Sequence, residues 1–250
     1  MRNTDNPALL RLGILVGSEA LEKFAAASVI VFGVGGVGSW CVEALARSGI
    51  GKITIVDFDT VCESNLNRQL QATQATLERP KVEALKERML EINPYCEIHA
   101  WEKMFTREDA GEFEIEKADY IIDAIDIMNH KLDLIELASA SGAKFFSSMG
   151  MARKMNPAAV KVASIWKTSG CPLARAVREG LRKRKFGGDF TVVYGEECLD
   201  NIHERIYDDG TPQGRILGPK MPPNGSVVTV TATAGMILAS LVLQDLSAKA

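Results

Sequence analysis

Residues 28–57 read SVIVFGVGGVGSWCVEALARSGIGKITIVD, and this stretch decides the fold. Its first residues form a short apolar run rich in β-branched side chains, which predicts a buried strand. Gly33-Val-Gly-Gly-Val-Gly38 follows, then an amphipathic segment over 39–47, a turn at 49–51 and a second apolar run that reaches Asp57. Strand, glycine loop, helix, strand is a βαβ unit, and such units are parallel and right-handed. Glycines between a strand and a helix leave backbone N–H groups and a helix N-terminus where a phosphate can sit. Asp57 stands 19 residues past Gly38, at the end of the next strand. That is the position of an acid that takes ribose hydroxyls.

Working outward, the spacing predicts a short helix over 18–24 before the unit. After it come a helix over 80–93, a strand over 96–101, a strand over 118–125, a helix over 130–141 and a strand over 144–148. This alternation predicts an α/β fold, a Rossmann-like doubly wound and mostly parallel sheet. Past Gly150 the rhythm changes. A strand over 158–165, a basic helix over 175–185 and a strand over 189–194 suggest a C-terminal, partly antiparallel extension, followed by a long loop over 200–225. Residues 226–243, SVVTVTATAGMILASLVL, carry no charge. Three threonines and a glycine dilute this run and no Lys/Arg cluster brackets it. A buried helix, in the core or at a subunit interface, is therefore expected rather than a membrane span. The whole reads as a single domain over 1–250, with a nucleotide-binding core over 28–150 and the extension over 151–250.

The chain has 250 residues, 29 basic and 32 acidic, a net charge of −3, and is 46% hydrophobic and 24% charged. This balance excludes disordered and collagen-like chains. The opening MRNTDNPALLRLG lacks the apolar core of a signal peptide, and the five cysteines show no C-x-x-C pair. A cytoplasmic protein with reduced thiols and no zinc is expected. Charge is unevenly placed: residues 151–190 hold ten basic and two acidic side chains, a block of +8 in an acidic protein. Either a polyanion docks there or a helix end is solvated, its cations complementing the dipole.

One cluster argues against hydride transfer. Asp57-Phe-Asp59-Thr-Val-Cys-Glu-Ser-Asn65-Leu-Asn67-Arg68-Gln69 follows the second strand directly. A hydride-transfer site has no need of Asn, Arg and Gln beside the phosphates. Nucleotidyl transfer does, because negative charge builds on the α-phosphate as the nucleophile attacks. GVGGVGS, VDFDTV, SNLNRQ, RPKVE and DAIDI, in this order over 11–151, resemble the ubiquitin-activating-enzyme-like superfamily, the HesA/MoeB/ThiF-type adenylyltransferases. The resemblance implies that ATP with Mg²⁺ activates a carboxylate as an acyl-adenylate. It assigns Gly33, Gly35, Gly36 and Gly38 to the nucleotide loop and Asp57 to the ribose. Asn65, Arg68, Gln69 and Lys81 would face the phosphates, and Asp126 would hold Mg²⁺ with Asp59 nearby. Arg11 matches an arginine that reaches the phosphates of a neighbouring subunit, which implies a homodimer. Of these, Arg11, Asn65, Arg68, Lys81 and Asp126 are the expected catalytic set.

The residues themselves leave alternatives. Asp123 or Asp126 could cap the following helix, and Arg68 could form only a salt bridge. Lys81 sits in a first helical turn, where the dipole disfavours a cation, so a phosphate partner is expected. Cys171, at the start of the basic helix, reads as a helix-start residue rather than a nucleophile, and Cys62 as packing. His99, His130 and His203 form no triad.

Sulfur-carrier-activating members of the superfamily usually have paired C-x-x-C motifs and Asn where this chain has Ile127. SGIGKITIVD, NRQLQA, DAID, SSMGMARKMNP and KMPPNGSVVTVTATAG are instead similar to the tRNA threonylcarbamoyladenosine dehydratase branch. That similarity implies a tRNA substrate and a carboxylate-adenylating ligase and cyclase. It also implies a monovalent cation, Na⁺ or K⁺, and leaves room for a sulfur-transfer partner protein. The alternative is activation of the C-terminus of a ubiquitin-like sulfur carrier.

Overall fold

The computed structural model describes residues 6–201 and 224–248. Most of the loop expected over 200–225, together with His203, lies outside the described residues. Among the described residues seven strands form one sheet: β1 (Ser28–Phe32), β2 (Lys52–Val56), β3 (Glu97–Trp101), β4 (Tyr120–Asp123), β5 (Lys144–Ser148), β6 (Val160–Ser164) and β7 (Thr191–Gly195). Their order is β3-β2-β1-β4-β5-β7-β6. All neighbours are parallel except β6, which runs antiparallel to β7 at the edge. The chain leaves β1 outward through β2 and β3, then returns to β4 on the other side of β1. This reversal opens a crevice at the C-terminal ends of β1 and β4, where open α/β sheets bind ligands.

Among the described residues six α-helices pack with the sheet: α1 (Leu10–Ala26), α2 (Gly38–Arg47), α3 (Lys81–Ile92), α4 (Met128–Ala140), α5 (Pro172–Lys183) and α6 (Val228–Ala248). Along β1, Val29 and Val31 face the core shared with α1, α2, α3 and α6. Ile30 and Phe32 face the core shared with α4 and α5. Side chains of a strand alternate between faces, so one apolar run feeds both cores.

Two helices bear on the sequence reading, the first as a correction and the last as expected. The first begins at Leu10, not at 18, with a break at Gly17, where φ is +83°. Leu12 and Val16 pack against the core while Leu10, Ile14 and Leu15 are exposed, so apolar residues lie on both faces and no one-sided pattern marks this half of the helix. α6 is long and apolar enough to cross a membrane by length and composition alone. Yet Val230, Ala234, Leu238, Ala239 and Val242 are fully buried. Gly235 explains the close docking on α2: a Cβ there would lie 2.4 Å from Val37 O and 2.9 Å from Cys41 N. The last helix thus packs on the helix that follows the glycine loop.

Candidate active site

The glycine loop closes on itself and leaves an open centre. At Gly33 φ is +84°, and a Cβ would meet Ala124 O at 2.7 Å; at Gly38 it would meet Gly33 O at 1.8 Å. No other residue fits at these two positions. At Gly35 a Cβ would find only Gln69 Nε2, at 3.9 Å, and at Gly36 the stem of Arg68, at 3.2 Å, and Thr231 of α6. The N–H groups of Gly35 and Gly36 donate to no acceptor among the described residues. Two free N–H groups ahead of a helix N-terminus form an anion cradle.

Polar side chains from the segment after β2 line this cradle. Asp57, half-buried, accepts from Val34 N through Oδ2 (2.8 Å) and from Asp59 N through Oδ1 (2.9 Å), which fixes the carboxylate against the loop. Asn65 is buried and its Oδ1 accepts from Cys62 N at 3.2 Å, closing a short 3₁₀ turn. Arg68 Nη1 donates to Ser64 O (2.7 Å) and Asn67 Oδ1 (2.9 Å), while its carbonyl accepts from Trp40 Nε1. These bonds tie the guanidinium to its own turn. Gln69 is buried with Oε1 unpartnered.

Lys81 has a protein partner that the sequence reading did not give it. Its buried Nζ faces Asp59 Oδ2 at 2.7 Å, a carboxylate that offsets the unfavourable helix dipole. The other oxygen of Asp59, Oδ1, is buried without a partner. Burial pushes the Asp59 carboxyl above its ordinary range; Lys81 opposes this, and Asp57 and Asp126 reinforce it. Two further carboxylates, those of Asp57 and Asp126, therefore lie near enough to act on Asp59.

Neither aspartate of DAID caps α4. Ile127 holds the cap position without a side-chain bond. Asp123 is fully buried and pairs with Lys131 Nζ at 2.7 Å, with both side chains at 0% exposure. It also accepts from Ser147 Oγ (2.6 Å) and Ile125 N (3.0 Å), while Lys131 Nζ donates to Ile125 O at 2.9 Å. Asp126, three residues on, is exposed and has no hydrogen bond or ion pair among the described residues. Arg11 lies apart, exposed on α1, with no bond to any of these residues.

Sequence reasoning missed two buried polar residues here, Lys131 and Gln71. Lys131 left a signal: a cation amid Leu132, Leu134 and Ile135, one α-helical segment past an apolar strand ending in Asp. Gln71 left none. Cys171 is 3% exposed beneath Gly150, consistent with a packed helix-start residue. Cys62 is half-buried, 3.1 Å from Ser64 Oγ.

The basic block divides in two. Arg153, Lys154, Lys161, Arg175, Arg178 and Arg184 are held by partners within the chain. Arg184 bridges Asp133 and Glu136 of α4, together with Arg107. Arg182 stacks over the Trp166 ring, 5.6 Å from its centroid. Lys167, Lys183 and Lys185 are exposed and make no hydrogen bond or close ion pair among the described residues. Because α5 leads into β7, which is parallel to β5, its basic C-terminal end lies at the sheet end opposite the glycine loop.

The chain matches known proteins over nearly its whole length. A family profile described as ThiF family matches residues 9–249. The chain is 38% identical over 234 residues to a tRNA threonylcarbamoyladenosine dehydratase of Bacillus subtilis, covering 93% of this chain and 92% of that one. Crystal structures of E. coli tRNA N6-threonylcarbamoyladenosine dehydratase superpose with a TM-score of 0.82 in complex with AMP and 0.81 in complex with ATP. Their identities are 32% and 33%, over 95% of this chain and 92% of theirs.

Proposed function

The chain belongs to the ThiF family, and from that premise we propose that it is an ATP-dependent tRNA threonylcarbamoyladenosine dehydratase. An oxygen of the threonylcarbamoyl carboxylate attacks the α-phosphorus of ATP. The bond to pyrophosphate breaks, leaving an acyl-adenylate. A nucleophile of the same modified nucleoside then attacks the acyl carbon, the ring closes and AMP leaves. The net change is loss of water from the nucleoside, coupled to ATP going to AMP and pyrophosphate. Tethering of nucleophile and electrophile supplies a high effective molarity, so no enzyme thiol is required. The buried Cys171 suits that scheme.

The observation that carries this reading is the pair of free N–H groups at Gly35 and Gly36 with the Arg68 stem against them. They form a cradle for phosphate oxygens whose charge grows in the transition state. Asp57, pinned against the loop, is left to take the ribose. Mg²⁺ fits the donor set: Asp126 offers an unpaired carboxylate and Asp59 an orphaned buried oxygen. Among the described residues no cluster of three metal-ligating side chains exists, as suits an ion that takes one or two carboxylates and completes its shell with phosphates and water. Bound there, it would neutralise phosphate charge. Leu10, Ile14 and Leu15 beside Arg11 give α1 an exposed apolar face for pairing two copies in a homodimer. The five free thiols suit a reducing cytoplasm.

ATP–pyrophosphate exchange tests the reading. Stimulation by tRNA bearing threonylcarbamoyladenosine is expected. Stimulation only by a small protein ending in Gly-Gly would overturn it in favour of sulfur-carrier activation.

The RNA contact has its own expected result. A charge-reversed Arg184 would break the α4–α5 bridges, so the clean variant is the triple Lys167→Glu, Lys183→Glu, Lys185→Glu. It should keep ATP affinity, weaken tRNA binding and lower the slope of log affinity against log salt by about 2–3, at roughly 0.7–0.9 for each phosphate no longer neutralised. Unchanged tRNA affinity would leave this end of α5 as a solvated face. The strands between it and the cradle span about 17 Å, at roughly 3.3 Å per residue. An RNA presenting its nucleotide at Asp126 would have to reach along that length.

A further inference from the structure

Val34, between the first two glycines of the loop, is fully buried and held by side chains at both backbone groups. Its N–H donates to Asp57 Oδ2 at 2.8 Å, and its carbonyl accepts from Gln71 Nε2 at 2.9 Å. Gln71 is 2% exposed. A carbonyl can only accept, so the amide nitrogen must face Val34. That orientation leaves Gln71 Oε1 buried with no partner. The amide thus satisfies one buried polar group, the Val34 carbonyl, while leaving its own oxygen orphaned, so the peptide orientation it enforces matters more than a net gain of hydrogen bonds.

Peptide geometry supplies the reason. All peptide bonds among the described residues are trans. In a planar trans peptide the C=O of one residue and the N–H of the next point in opposite directions. Holding Val34 O on Gln71 therefore turns the Gly35 N–H away from the core, and that N–H finds no acceptor within the described residues. The geometry points to Gln71 as a positioning residue: its buried amide fixes the Val34–Gly35 peptide so that the Gly35 N–H is presented to a phosphate of the bound nucleotide. This rests on the reading that ATP phosphates occupy the Gly35–Gly36 cradle.

Calorimetric titration of the full chain with ATP tests it through two variants. Gln71→Met keeps length and removes the donor; ATP affinity should fall about tenfold while unfolding stays cooperative. Gln71→Glu repels Val34 O when ionised and donates to it when protonated. Its affinity relative to wild type, compared at each pH, should recover as pH falls from about 8 to about 5, the range a buried carboxyl titrates in. A purely structural Gln71 would not produce that pH-dependent ratio. Wild-type protein that binds no ATP overturns the nucleotide reading and this inference with it. Wild-type binding, with Gln71→Met within about twofold of it or with a flat Gln71→Glu ratio, overturns this inference alone.

Discussion

Asp126→Ala is expected to reduce ATP–pyrophosphate exchange by about 10²–10³-fold, the usual cost of removing one group that stabilises transition-state charge, with the unfolding midpoint unmoved. Both halves follow from its surroundings. The side chain is exposed and has no bond to the described fold, so its loss leaves packing intact. It nevertheless acts on the Asp59 carboxyl at the crevice mouth, so it belongs to the charged cluster where a metal–phosphate complex fits. Arg68→Ala should also abolish exchange, but it reads less cleanly. The Arg68 side chain ties Ser64 and Asn67 and packs against Gly36, so truncation loosens the turn as well. Full exchange by Asp126→Ala, measured with labelled pyrophosphate, would remove the site assignment.

Lys131→Met should cost about 3–5 kcal/mol of stability, because it strands the Asp123 carboxylate in the core. For a chain of this size that is a fall of about 6–20 °C in Tm, at roughly 2–4 °C per kcal/mol. Stability is only part of the expectation. Ile125 gives its N–H to Asp123 and its carbonyl to Lys131, so the buried pair grips both sides of the residue before Asp126. The same segment carries Ala124 O, against which Gly33 turns. The double variant Asp123→Leu/Lys131→Leu removes both charges and should regain much of the stability, since apolar replacement of a buried pair is often neutral or better. Exchange should stay low in the double variant, because nothing then holds the Ile125 peptide. Thermal unfolding and exchange measured together decide the matter. If the double variant recovers both, the pair serves folding alone.

What could be read from the order of residues was local. A β-branched run, a glycine loop and an amphipathic segment specify a βαβ unit through contacts close in the chain. The polar run 57–69 had to reach the loop, because it leaves the end of β2, the strand beside β1. Asp57, Asn65, Arg68 and Gln69 are legible for that reason. Lys81 was legible at a helix start but its partner was not, since the dipole argument sees the helix and misses the Asp59 carboxylate 22 residues back. The basic block was legible as a count and not as a surface, because which cations meet Glu136, Glu196 or Trp166 depends on how α4, α5 and β6 pack.

The amino-acid order alone determined the half of the chain over 28–150: its strands, its glycine loop and the acid at the end of β2. Only tertiary structure decided that Gln71 grips Val34, that Lys131 and Asp123 clamp Ile125, and that α6 lies against α2 through Gly235. The physical reason is the range of the forces. Periodicity and turn chemistry act over a few residues, whereas a buried polar group is satisfied by whatever partner folding brings within about 3 Å, however distant in the chain.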